Sequence, residues 1–266
     1  MRGSLSKRLV LWGLVWFGIV ILSMPTVIVI GASLTSGEIV QFPPDGLSLR
    51  WYGRLLEMEG FRDAFLRTLY VSIVCTLISL PAGTLAALAS VRYRLRFQTA
   101  IQVYLLLPFT IPLVVSGISL MILFGEARVL GNLWPIGLAL CIINLPFMIW
   151  SVSASVNELD PEIENAAANC GAPPVQAFLT VTLPAVMPGV ITGALLMFIL
   201  AFNEFLVSLF LTDSRTVTLP VQIYNSIRGV ITPDLAAVSV VYIVIALVAI
   251  WVLDRLVGLE IFLRSK

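Results

Sequence analysis

The sequence predicts an all-α integral membrane protein with six transmembrane helices, and three observations carry that prediction. Of 266 residues, 59% are hydrophobic and only 12% charged, whereas a soluble domain is about half apolar and about a quarter charged. The charges fall between long charge-free runs, at 9–37, 68–91, 97–125, 129–157, 165–203 and 235–253. Each run is near or above the roughly 20 residues an apolar helix needs to cross a hydrocarbon core. The runs are also continuously apolar rather than alternating, which argues against the strands of a membrane barrel.

The first run follows Arg2, Lys7 and Arg8 and imitates a signal peptide, with Ile30-Gly31-Ala32 placed like a cleavage site. A signal's apolar region needs only roughly 7–15 residues, so the run reads as an uncleaved span over 9–34. The next three spans are expected at 65–91, 99–125 and 130–156. The fifth run is too long for one crossing. Its membrane helix is expected to start near Pro188, occupy 187–211 and continue past Glu204. The sixth span is expected at 235–255, and residues 1–266 form a single transmembrane domain. Arg92, Arg94 and Arg96 crowd one short loop, which the positive-inside rule assigns to the cytoplasm. Six crossings then put both termini in the cytoplasm, Arg2, Lys7 and Arg8 at one end and Arg264 and Lys266 at the other. By parity the loop 157–186 is cytoplasmic too, although it carries no basic residue.

Composition also excludes classes of chemistry. The chain has no histidine, which removes histidine acid–base catalysis and histidine metal sites. Cys75, Cys141 and Cys170 follow no metal spacing and read as small buried hydrophobes. No catalytic residue, metal site or cofactor is expected, and the near-neutral charge gives no sign of nucleic-acid binding. Small residues at fourfold spacing, Ala82, Ala86 and Ser90 in the second span and Gly189 and Gly193 in the fifth, suit helix packing in a bilayer.

The 157–186 loop is the most informative stretch. Asp160 suits a helix N-cap with Pro161 at the first position, and Glu162 and Glu164 sit where the helix dipole favours negative charge. Ile163, Ala166, Ala167 and Cys170 recur on one apolar stripe, with Glu162, Asn165 and Asn169 on a polar face. Gly171 can cap the helix in the left-handed region, and Pro173-Pro174 prevents continuation. A second short helix is expected from Pro174, with Val175, Phe178 and Leu179 on one side, ending at Leu183-Pro184. Helices that lie on anionic lipid usually carry lysine and arginine. This loop carries Glu158, Asp160, Glu162 and Glu164, so a protein partner with a basic groove fits it better than a lipid surface.

The same stretch resembles the EAA loop of ABC importer inner-membrane permeases. Ala166-Ala167, Gly171, Phe178, Leu183-Pro184 and Pro188 stand at matching spacing. The glutamate usual in that motif is replaced by Asn165, preceded by Glu164. Residues 65–94, 202–212 and 218–239 are similar to the spermidine/putrescine permease branch. The resemblance implies the type I importer permease fold, with Glu162, Glu164, Asn165, Ala166, Ala167, Gly171, Phe178, Leu183 and Pro184 forming an ATPase-coupling loop. It implies four kinds of partner: a cytoplasmic ABC ATPase dimer, a second permease (a different chain in the polyamine-like case), an extracytoplasmic solute-binding protein and the bilayer of a bacterial inner membrane. The chain has no GxxxxGK[ST] phosphate loop of its own, so ATP binding and hydrolysis are expected in a separate subunit.

Glu204 is the one acid well inside an apolar segment. Counted from Pro188 at 1.5 Å per residue it lies about 24 Å along a helix, in the outer half of a core about 30 Å thick. A carboxylate there faces a cavity or a partner. Two readings stand: a lining residue of the substrate route beside Asn203, or a structural partner of backbone or of Arg67 or Arg215. Asn144, Ser116 and Ser119 are further polar candidates, although polar residues in membrane helices more often hold helices together. Polyamine permeases tend to have Asp-Glu where this chain has Asn203-Glu204. A polyamine-like amine or zwitterion and a phosphonate-type solute therefore both stay open. An autonomous secondary transporter is the alternative from another class, with no internal repeat to support it. The loop 35–63 carries mixed charges and reads as a solvated loop or a contact for the delivery protein.

Overall fold

The computed structural model describes residues 2–55, 59–93, 98–229 and 233–257. Arg94, Arg96, Arg264 and Lys266, on which part of the expected orientation rests, lie outside the described residues. The chain divides into two compact units, Met1–Arg62 with Ile223–Leu247 and Asp63–Gln222 with Val248–Lys266.

The first unit opens with α1 (Arg2–Ser33), whose apolar stretch Val10–Ser33 is exposed over most of its length, with Ala32 and Ser33 buried at its end. That is the surface a lipid-facing helix presents. The segment after it is folded, not simply solvated. Ser36 N–H donates to Gly46 O at 3.0 Å and Ser48 N–H to Leu34 O at 2.8 Å, and α2 (Arg50–Leu55) follows. Trp51 is buried, its indole N–H 2.8 Å from Thr35 O. The Arg50 and Arg54 guanidinium carbons stand 4.3 and 5.0 Å from the Trp51 ring centroid. The tryptophan therefore pins this segment through one hydrogen bond and a cation-covered face.

The second unit is built around α6. Helix α3 (Glu59–Arg92) precedes α4 (Gln98–Thr110) and α5 (Leu113–Glu126). The third expected span is thus two helices broken at 111–112, because Pro112 cannot donate and keeps Ile111 out of the helical region. Next comes α6 (Trp134–Glu158), with Ile136, Leu140, Met148, Val152 and Val156 fully buried. It packs most extensively on a later helix, α9. The short helices α7 (Pro161–Asn169) and α8 (Pro174–Ala177) precede a π turn (Phe178–Thr182) that runs directly into α9 (Leu183–Asn203).

That continuity corrects two expectations. Leu183-Pro184 does not end a loop helix, and the fifth span does not begin at Pro188. One unbroken helix runs Pro174–Asn203. Pro184 has no N–H, and its ring would crowd the carbonyl of Thr180 in a regular α-turn. The widened turn just before it, with Leu183 N–H reaching Phe178 O, accommodates that ring. The span also does not continue past Glu204, where the chain leaves the helix with ψ 125° and restarts as α10 (Leu206–Leu211), packed on α5. Helices α11 (Leu219–Gly229) and α12 (Pro233–Val257) complete the described chain.

Among the described residues, Val10–Ser33, Gly60–Arg92, Trp134–Glu158 and Pro174–Asn203 are long and apolar enough to cross a membrane, with shorter apolar helices at Leu113–Glu126 and Pro233–Ile245. Tight helix contacts hold the second unit. Ser151 Oγ donates to Gly189 O at 2.9 Å. Met148 lies between Gly83 of α3 and Gly193 of α9, filling the space a Cβ at either would need.

Candidate functional site

The loop between α6 and α9 is organised by local capping. Asp160 accepts from Glu162 N–H at 3.0 Å, and Pro161 occupies the first turn, where no intrahelical partner is needed. At the other end Gly171 takes φ +86°. Its N–H reaches Ala168 O at 2.9 Å and Ala172 N–H reaches Ala167 O at 3.1 Å. This is the paired closure of a Schellman cap, which favours glycine. The chain then turns into α8 at Pro174.

No residue of α7 is buried. Among the described residues nothing fully buries the stripe predicted from Ile163, Ala166, Ala167 and Cys170. Ile163, Val175 and Leu179 are 51%, 70% and 53% exposed. Glu158, Asp160, Glu162, Asn165 and Pro184 are exposed, while Ala167, Phe178 and Leu183 are half-buried. Glu162 accepts from Asn165 Nδ2 at 3.3 Å, so the position of the usual motif glutamate is tied to the acid three residues before it.

Glu164 behaves differently from the other three acids. Its side chain is 29% exposed; its Oε1 lies 3.2 Å from Arg92 Nη2 and accepts from Thr182 Oγ1 at 2.7 Å. Sequence reasoning missed both partners. Arg92 registered only as one of the clustered arginines, and Thr182 carried no signal.

The residues expected along a substrate route are spread over two places. Glu204 is half-buried, and both of its oxygens are engaged by the backbone of α10, Oε1 by Val207 N–H and Oε2 by Ser208 N–H, each at 3.0 Å. The partner is therefore backbone. Among the described residues no arginine pairs with Glu204; Arg67 lies 3.9 Å from Asp63. Asn203 is exposed and donates to Ile199 O at 2.9 Å. Asn144 is buried on α6, and among the described residues no hydrogen bond joins it to Asn203 or Glu204. Ser116 and Ser119 of α5 line an otherwise apolar cavity of about 530 Å³ with Tyr104, Pro108, Ile142 and Pro146. Among the described residues no group of three potential ligands is placed to hold a metal ion.

Known proteins resemble this chain in sequence and architecture. Residues 79–259 match the family described as binding-protein-dependent transport system inner membrane component. The chain is 30% identical over 231 residues to the putrescine transport system permease protein PotI of Escherichia coli (strain K12), covering 84% of this chain and 81% of that one. It is 28% identical over 212 residues to the spermidine/putrescine transport system permease protein PotC of Haemophilus influenzae, covering 80% and 82%. In fold it is similar to a chain of a bacterial ABC transporter involved in the import of the acidic polysaccharide alginate, with a TM-score of 0.72 at 16% identity over 96% of this chain and 98% of that one. The chain therefore belongs to the family of binding-protein-dependent transport system inner membrane components, as an ABC importer permease similar in sequence to polyamine permeases.

Proposed function

We propose that this permease forms, with a second and different permease chain, the pathway of an ATP-driven importer whose solute is delivered by an extracytoplasmic binding protein. Both termini and the loop 157–186 face the cytoplasm, where an ABC ATPase dimer seats on α7 and α8. ATP is hydrolysed in that partner, and its conformational cycle moves the loop. Such a partner drives transport only if it binds the outward- and inward-open states unequally.

The observation that carries this reading is the elbow at Gly171. It joins two short helices, exposes Ile163, Val175 and Leu179, and sets acids beside them with no basic residue in the loop. An apolar stripe with acidic flanks suits a groove with basic walls. Co-purification tests it. Chain extracted in mild detergent from its native membrane brings an ATPase subunit with it, and recovery of the permease alone overturns the reading.

The solute class we favour is a small amine or zwitterion, supported by the likeness to the putrescine and spermidine permeases. Asn203, exposed where the helix breaks, is the polar group the route offers, while Glu204 commits its carboxylate to the backbone of α10. One fewer free negative charge suits a zwitterion better than a polycation, and a phosphonate-type solute is the second reading for the same reason.

A further inference from the structure

Three elements meet at one carboxylate in the second unit. Arg92 is in the last turn of α3, Glu164 is on α7, and Thr182 closes the π turn that opens into α9. Thr182 is 5% exposed and donates its hydroxyl to Glu164 Oε1 at 2.7 Å, while Arg92 Nη2 stands 3.2 Å from the same oxygen. That approach is a charge contact rather than an aligned hydrogen bond. Arg92 Nε and Nη2 are buried and make no hydrogen bond among the described residues. These two nitrogens form one edge of the guanidinium fork, the edge that matches the two oxygens of a carboxylate. Of the four acids in the loop, only Glu164 is turned toward that edge.

We propose that Arg92 is a positioning residue for energy coupling: with the Thr182 hydroxyl it ties Glu164 to the end of α3 and the base of α9, so that displacement of the loop is delivered to two spanning helices together. The proposal rests on the coupling role assigned to the loop above. Covalent continuity carries motion to α6 at one end of the loop and, through α8 and the π turn, to α9 at the other. Helix α3 has no such link to the loop, and the Arg92–Glu164 contact supplies one. The acid that meets the ATPase is then Glu162, with Glu164 serving as the internal anchor. The unmatched edge of Arg92 leaves room for the contact to tighten, since a rotation of the carboxylate would set both its oxygens against Nε and Nη2.

The test uses the complete transporter, reconstituted with its ATPase and delivery protein, and reads solute imported per ATP hydrolysed. Arg92→Ala is expected to lower that ratio about tenfold, within the range of a typical coupling between sites, while the ATPase co-purifies in normal amount. Arg92→Lys keeps part of the ratio, and the charge swap Arg92→Glu with Glu164→Arg recovers more than either single change. Should Arg92→Ala fail to accumulate in the membrane, Thr182→Val gives the same readout, with a fall of a few fold. A wild-type ratio in Arg92→Ala or Thr182→Val, or a swap no better than its single variants, overturns the proposal alone. A wild-type chain that retains no ATPase overturns the coupling role and, with it, this proposal.

Discussion

Ser151 on α6 donates its hydroxyl to the carbonyl of Gly189 on α9 at 2.9 Å, and the contact exists because Gly189 has no side chain. A Cβ there would lie 2.5 Å from Ser155 Oγ and 2.7 Å from Ser151 O. The second obstacle is backbone and cannot step aside. Gly189→Ala is expected to cost on the order of 1–3 kcal/mol, read as a lower midpoint of thermal unfolding in detergent. Gly193→Ala, four residues on, meets the flexible sulfur end of Met148 at 2.5 Å and should cost less. Equal losses at the two positions would contradict this account of the crossing.

Gly171 makes the opposite case. A Cβ at that position meets nothing within 4 Å, yet φ is +86°. A valine has space and no permitted backbone, at a cost of about 1–2 kcal/mol or more for a β-branched residue. Gly171→Val should leave membrane abundance near normal on an immunoblot and abolish solute uptake. Gly171→Asn, which tolerates the left-handed region better, should retain partial uptake. Normal uptake in the valine variant would remove the elbow from the mechanism.

For Glu204 the hydrogen bonds to Val207 and Ser208 predict a loss of stability first. Glu204→Ala removes the cap of α10 and should lower stability by about 1 kcal/mol. Glu204→Gln keeps one acceptor and should recover part of it. The uptake KM of the glutamine variant should stay within a few fold of wild type. A large rise in KM at unchanged thermal stability would instead mark a carboxylate that meets the solute.

Asp213 opens the turn that follows α10. Its carboxylate is held below the ordinary value first by the Thr216 hydroxyl, 2.8 Å away, and then by the backbone N–H of Arg215 at 2.9 Å. A lowered folded value means the contribution is complete above the unfolded pKa, about 3.9, and is lost as pH falls below that through the folded value. Hydrogen exchange of residues 213–216 should therefore be insensitive to this group between about pH 5 and pH 8. Protection of these amides should fall in strong acid, and Asp213→Asn should exchange faster between about pH 5 and pH 8, with the difference shrinking in strong acid. Acceleration between pH 8 and pH 5 that disappears in Asp213→Asn would reverse the sign argued here.

What could be read from the chain in advance was what depends on near neighbours. Asp160, Pro161 and Gly171 sit at the cap positions their types favour, because a cap is settled by a handful of consecutive residues. The Arg92–Glu164 contact was not legible, since nothing in either segment's pattern refers to the other. The folding of Trp51 onto Thr35 was missed for the same reason. The apolar pattern resumes at Phe205 after the single acid Glu204, and only the return of that carboxylate onto the next turn's N–H groups shows why the helix stops there. The break at 111–112 had a visible cause in Pro112. The neighbouring Pro108 and Pro146 lie inside continuous helices, so proline alone did not mark it.

The π turn at Phe178–Thr182 holds one residue more than a regular turn of the same height. The surplus is absorbed where it occurs, so the helix on either side keeps nearly the phase an uninterrupted α-helix would give it. Deleting one residue there would leave Glu164 and the apolar stripe of α7 close to their present bearings, and the cost would fall on Pro184, whose ring would meet a carbonyl one turn back. Deleting one residue from the regular turns that follow would instead rotate everything before it by about 100° relative to the rest.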